Sequence, residues 1–100
     1  IVANDERAFA IRNGNAIMGK ITGAGCMLSC LVGAYSVANK ENMLEGVVAA
    51  IAGEGLCGQI AAERMTEADG NGSFRTYLLD AMYNLDAATL ADGALVQEVM

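Results

Sequence analysis

The sequence predicts a mixed α/β fold in which a short β-hairpin is followed by three to four helices. Two observations lead to this prediction: an Asn-Gly pair lies near the start of the chain, and apolar residues recur at helical spacing through most of the remainder. One hundred residues correspond to about one domain. We assign residues 1–21 to the hairpin, residues 22–26 to a glycine-rich turn and residues 26–100 to the helical part.

The hairpin is predicted from Asn13-Gly14, which follows a short apolar run between charged residues. This dipeptide best accommodates the positive φ angles of a two-residue turn. The second strand is expected to return through Asn15 to about Ile21.

The next segment is a flexible small-residue turn over residues 22–25, which leads into an apolar stretch over residues 26–35. A helix that is apolar nearly all the way round is expected to be buried. Residues 21–39 carry no charge and approach the length of a membrane span. Glycine, serine and threonine dilute the run, and neither flank carries an aromatic belt or a basic cluster. No membrane association is therefore expected.

A second helix is predicted over residues 41–65 from apolar residues at helical spacing, with Glu45, Glu54 and Glu63 on the wetter side. Each of its glycines costs about 1 kcal/mol of helix propensity relative to alanine. Close approach of another helix or of a ligand is the simplest compensation. These glycines are Gly46, Gly53, Gly55 and Gly58.

The third helix is the clearest amphipathic one, with Ser73 as its predicted N-cap. The last segment, residues 86–100, is expected to form one more loose helix. The apolar residues of the third helix are Phe74, Tyr77, Leu78, Ala81, Met82 and Leu85.

Composition and charge narrow the function. Hydrophobic residues make up 54% of the chain and glycine a further 12 positions, which is high for so small a domain. We interpret the surplus as surface that meets a partner or further chain. Because the sequence starts at Ile1 and not at Met, and shows no signal peptide, we expect a C-terminal piece of a larger protein.

A net charge of −6 provides no basic footprint for nucleic acid. Three cysteines and no histidine build no zinc or haem site, and an odd number of thiols fits a cytoplasmic protein.

The turn before the first helix is a candidate anion hole. The first amides of a helix lack intrahelical partners, and glycines let the backbone approach a phosphate closely. The amides of Gly23, Ala24, Gly25 and Cys26 are the candidates. Cys26 at the helix start is either a base or nucleophile, whose thiolate the same field favours, or a small packed residue. Cys30 and Cys57 are interpreted as packing residues.

Three motifs carry a resemblance to a known family. Gly23-Ala24-Gly25-Cys26 followed by Met27-Leu28-Ser29 resembles the Gly-x-Gly-Cys-x-Leu-Ser/Thr segment of hydroxyethylthiazole kinases, members of the ribokinase-like superfamily. Asn13-Gly14-Asn15 and the loop at residues 70–74 are similar to the family's Ser-Asn-Gly-His turn and Gly-Pro-Gly-Ser-Phe loop. Asn15 and Asn71 depart from the family's His and Pro. The resemblance runs from about Asp5 to Leu85.

The resemblance implies a three-layer α/β/α fold, of which this chain is the C-terminal part, and transfer of a phosphoryl group from ATP, with Mg²⁺, to hydroxyethylthiazole. It implies that Cys26 is the base, that Gly23 contacts the thiazole alcohol and that the amides of residues 23–26 form the anion hole. Thr22 is assigned to the ATP cofactor. Homotrimers with active sites at subunit boundaries are also implied, with the magnesium ligands in an N-terminal part of the enzyme.

Two alternatives stay open. Hydroxymethylpyrimidine kinases of the same superfamily can also carry a Gly-x-Gly-Cys segment. A non-catalytic helical module that oligomerises through faces rich in glycine and alanine would explain the glycines. It would not explain why residues 22–26 stand between a hairpin and a helix.

Overall fold

A computed structural model describes all residues, 1–100, as a small three-stranded sheet and four α-helices. The second helix lies at the centre and packs against the first and third helices. The strands are β1 (Val2–Ala3), β2 (Ala8–Ile11) and β3 (Val96–Glu98), and the helices are α1 (Ala24–Ala38), α2 (Met43–Arg64), α3 (Asn71–Asn84) and α4 (Ala87–Gly93).

The sheet is antiparallel in the order β1-β2-β3, with Val2 opposite Phe9 and Phe9 opposite Glu98. The hairpin therefore joins β1 to β2 through residues 4–7. The Asn4 side chain shapes this turn, because its Oδ1 accepts hydrogen bonds from the amides of Glu6 at 2.8 Å and Arg7 at 2.7 Å.

The predicted hairpin at Asn13-Gly14 is wrong. Gly14 does have a positive φ of 136°, but the chain does not return as a strand. Residues 16–20 form a 3-10 helix, which the Asn15 side chain caps by accepting a hydrogen bond from the amide of Ile17 at 3.1 Å.

The side chain of Asn13 explains why no strand returns there. Its Oδ1 accepts from the amide of Leu95 at 2.7 Å, and its Nδ2 donates to Gln59 Oε1 at 2.7 Å and to the carbonyl of Gly93 at 3.0 Å. Contacts with α2 and with the α4–β3 connection thus hold this residue and override the local turn preference.

The hydrophobic core lies between α2 and α3. Cys57, Phe74 and Leu78 are fully buried, as the amphipathic pattern of α3 predicts. The bounds of α2 also agree with the predicted helix. The prediction that Glu54 lies on the wetter side of α2 is wrong. This residue is only 5% exposed, and its Oε1 has no hydrogen-bond partner. Burial raises the pKa of this carboxyl.

Close approach of neighbouring elements explains the glycines of α2, as predicted. A Cβ on Gly46 would lie 3.0 Å from the Tyr35 carbonyl oxygen of α1, and a Cβ on Gly55 would lie 2.8 Å from the backbone of Asn13. Gly58 is crowded by Met18. The neighbours that require these glycines are therefore helix α1, the loop at Asn13 and the 3-10 helix at residues 16–20.

Helix α1 is not buried, contrary to the sequence prediction: none of its residues is fully covered, and Val37 is 67% exposed. One side of α1 packs along α2. The other side has no covering layer within these 100 residues, which agrees with the surplus of apolar surface.

The C-terminal half of the chain departs from prediction at two places. The cap of α3 is Gly70, whose carbonyl accepts from the amide of Phe74 at 3.0 Å, so Ser73 lies inside the helix and is not the N-cap. The loose helix expected over residues 86–100 is limited to α4, which Asp86 caps, and it gives way to β3.

By length and composition alone, residues 40–64 could cross a bilayer, whereas α1 is shorter. Just over half of the apolar window in this segment is buried inside the protein. We therefore interpret α2 as the core helix of the fold.

Candidate functional site

The glycine turn ends at Gly23, which caps α1 with a φ of 101° and a ψ of −8°. Helix α1 begins at Ala24, two residues earlier than predicted, so residues 24–26 form its first turn. A left-handed φ of this kind favours glycine. A side chain at this position would be strained even though a Cβ there would meet no neighbour within 4 Å.

The amides of this first turn are bare. The first amide of α1 with a protein acceptor is that of Met27, which donates to the carbonyl of Gly23 at 2.9 Å. The amides of Gly23, Ala24, Gly25 and Cys26 have no acceptor in the protein. Together with the helix dipole, these groups can stabilise an anion.

Cys26 is exposed beside these amides, in the first turn of α1. Cys30 lies one helical turn further on and is also exposed, which differs from the packing role expected of it. Cys57 is buried as expected, and burial, with a smaller contribution from Glu54, raises the pKa of its thiol to about 11. Of the two exposed thiols, Cys26 is the one that lies in the first turn of α1, beside the bare amides.

Thr22 lies in a recess of about 310 Å³ that the sequence did not reveal. The recess combines the residues before α1 with the start of α3, since Asn71 Nδ2 donates to the carbonyl of Lys20 at 3.1 Å. Its lining residues are Lys20, Ile21, Thr22, Asn71, Gly72 and Arg75.

Two cations line this recess and neither forms a salt bridge. Arg7 and Arg64 are both paired with carboxylates, whereas Lys20 and Arg75 are not. In a chain of net charge −6 this is a local concentration of positive charge beside the bare amides. Sequence reasoning missed the pair because its members are far apart in the chain, and only the nearness of Lys20 to Thr22 hinted at it.

Magnesium has no evident ligand set in these residues. No group of three or more Asp, Glu, His or Cys side chains could hold a metal ion, and the recess contains no carboxylate.

The fold and the turn define a class: a mixed α/β protein in which the first amides of a helix have no acceptor in the protein. A family model described as the hydroxyethylthiazole kinase family matches residues 1–88. The hydroxyethylthiazole kinase of Clostridium acetobutylicum is 46% identical over 94 residues, which cover 94% of this chain and 34% of that protein. Hydroxyethylthiazole kinase 2 of Methanosphaera stadtmanae is 36% identical over 91 residues, or 90% of this chain and 32% of that protein.

The solved structure of a hydroxyethylthiazole kinase from Pyrococcus horikoshii OT3 is similar, with a TM-score of 0.79 and 35% identity over 95% of this chain and 35% of that chain. The chain belongs to the hydroxyethylthiazole kinase family. Both the resemblance found in the motifs and the mixed α/β fold are thereby confirmed. The chain spans about a third of the length of the curated relatives it matches.

Proposed function

We propose that the protein carrying this chain transfers the γ-phosphoryl group of ATP to the hydroxyl of 4-methyl-5-(2-hydroxyethyl)thiazole in thiamine biosynthesis or salvage. The observation that carries the proposal is the run of bare amides from Gly23 to Cys26 beside an exposed thiol, in a chain of this family. The chain supplies the C-terminal part of the active site.

The bare amides would stabilise the transferring group. Phosphoryl transfer depends mainly on positioning and on stabilising negative charge spread over the phosphoryl oxygens. Backbone N–H groups fixed at a helix start meet this need without rearrangement during the reaction. Gly23 would also contact the thiazole alcohol, where a side chain would obstruct the approach of substrate.

Cys26 would act as the general base. The substrate oxygen attacks the γ-phosphorus, the bond to the ADP oxygen breaks, and the hydroxyl proton passes to the Cys26 thiolate. A weak base is sufficient where charge stabilisation accounts for most of the rate enhancement.

The cationic recess would hold the nucleotide. Thr22 offers a hydroxyl donor to a phosphate oxygen, and Lys20 and Arg75 offer charge-assisted hydrogen bonds. Mg²⁺ would reach the site bound to ATP and to residues outside this chain. We further propose a cytoplasmic homotrimer, which the three free thiols and the uncovered face of α1 support.

Steady-state kinetics of the full-length protein test the function, with hydroxyethylthiazole and hydroxymethylpyrimidine as competing acceptors. We expect phosphorylation of the thiazole alcohol and a loss in kcat on the order of 10²-fold for Cys26→Ala. Cys30→Ala, in the same helix, is the matched control and should retain activity. Preference for the pyrimidine alcohol would refute the acceptor, and unchanged turnover in Cys26→Ala would refute the base.

A further inference from the structure

Four sulfur-containing side chains line one open groove of about 490 Å³ between α1 and α3. We propose that this groove is a binding site for a soft monovalent cation, with Cu(I) as the representative ion. The proposal rests on the sulfur cluster and not on phosphoryl transfer. The sulfur ligands are Cys26, Met27, Cys30 and Met82, and Leu31, Ala34 and Leu79 complete the lining.

The two cysteines are placed to bind one ion together. Cys26 and Cys30 are separated by four residues in α1, a spacing that puts their Cβ atoms about 5–6 Å apart on the same side of a helix. Both thiols are free and exposed. Neither has to leave a disulfide or a packed interior to reach a metal.

The two methionines bring thioether ligands from different elements. Met27 follows Cys26 in α1, whereas Met82 comes from α3, and both pack partly against the core formed by Cys57, Phe74 and Leu78. This packing limits their mobility while the groove stays open. The ligand set is therefore supplied by two helices whose positions the core determines.

The lining selects for a soft ion. Thiolate and thioether sulfurs favour Cu(I), whereas Mg²⁺ and Ca²⁺ take oxygen ligands. No lining side chain carries oxygen or nitrogen. On binding, each cysteine thiol that coordinates Cu(I) releases one proton and copper keeps its oxidation state, so no oxidant or reductant is consumed.

The test is an anaerobic titration of the full-length protein with Cu(I), in competition with the chromogenic chelator bathocuproine disulfonate. We expect one tightly held Cu(I) per chain. Cys30→Ala should weaken binding on the order of 10²-fold, because even the loss of an outer partner of a metal ligand costs 10–100-fold. Met82→Leu, which keeps the shape of the groove, should weaken it about tenfold.

Met43→Leu is the control, because this exposed methionine of α2 lies outside the groove and its replacement should not affect affinity. Absence of stoichiometric Cu(I) binding, or equal affinities for the wild type and Cys30→Ala, would overturn the proposal. A loss in Met43→Leu equal to that in Met82→Leu would also overturn it. Kinase activity is measured separately, so an inactive protein that still binds Cu(I) would refute the proposed function and leave the copper site supported.

Discussion

Replacing Gly55 by alanine should destabilise the protein even though alanine is the better helix former. Gly55 lies in the middle of α2 and is buried. A Cβ there would lie 2.8 Å from the backbone carbon, the carbonyl oxygen and the Cβ of Asn13. These atoms belong to backbone and its first side-chain carbon, so they cannot rotate away.

The magnitude follows from opposing contributions. Alanine gains about 1 kcal/mol over glycine in a helix interior. Inserting a carbon into a filled site typically costs about 1–3 kcal/mol, and displacement of Asn13 threatens three side-chain hydrogen bonds worth about 1 kcal/mol each. With one of these hydrogen bonds lost, we expect a net loss of about 1–3 kcal/mol in the free energy of unfolding.

The assay is thermal unfolding followed by circular dichroism, with Gly33→Ala as the matched control. Gly33 lies inside α1, where a Cβ would meet nothing within 4 Å, so alanine should stabilise by up to about 1 kcal/mol. Each kcal/mol changes Tm by about 4–8 °C in a chain of this length. The two variants should therefore change Tm in opposite directions. An increase in Tm for Gly55→Ala would show that Asn13 yields easily and that the close approach is not restrictive.

Three further predictions concern the recess, the loop and the buried thiol. Lys20→Ala should raise the KM for ATP about tenfold with little change in kcat, as expected for loss of a charge-assisted hydrogen bond. Lys40→Ala is the control and should leave this KM unchanged. Equal KM values for Lys20→Ala and the wild type would contradict the nucleotide site. In urea unfolding, Asn13→Ala should lower the free energy of unfolding by about 2–3 kcal/mol. Asn84→Ala, at an exposed site, should lower it by under about 1 kcal/mol. Similar losses in the two variants would contradict the stabilising role of the Asn13 hydrogen bonds. Because the pKa of Cys57 is raised from 9.0 to about 11, the folded state keeps this proton while the unfolded state loses it. Stability should therefore fall by at most about 1.4 kcal/mol per unit between pH 9 and 11, and Cys57→Ala should lack this part of the decline.

Local sequence patterns predicted the helices whose apolar residues recur at helical spacing. The bounds of α2 and the buried residues Phe74 and Leu78 of α3 follow from apolar spacing, which tertiary packing reinforces. The glycines before α1 also predicted a helix start there, because their signal is local, although α1 begins at Ala24 and not at Cys26.

Elements that depend on distant partners could not be predicted. β3 is short and exposed, and only its pairing with β2 defines it as a strand. The side on which Glu54 lies depends on how neighbouring elements cover α2. The hairpin was misplaced because Asn13 bonds to residues 46 and 82 positions away, whereas the turn preference of Asn-Gly is local.

The same dependence on distance limited prediction of the candidate site. The bare amides and Cys26 form one continuous segment, so sequence could identify them. Lys20 and Arg75 line the same recess only because α3 begins beside the end of the 3-10 helix. No local pattern contains that information.

The hydrogen bonds of Asn13 have a practical consequence for anyone modifying this protein. They connect the loop that leads to Thr22 with Gly93 and Leu95, so an insertion between α4 and β3 would disturb the segment that leads to the glycine turn. The exposed tip at Glu67 and Ala68 has no such connection to it. Affinity tags, fluorophores or circular-permutation breakpoints are better placed at that tip.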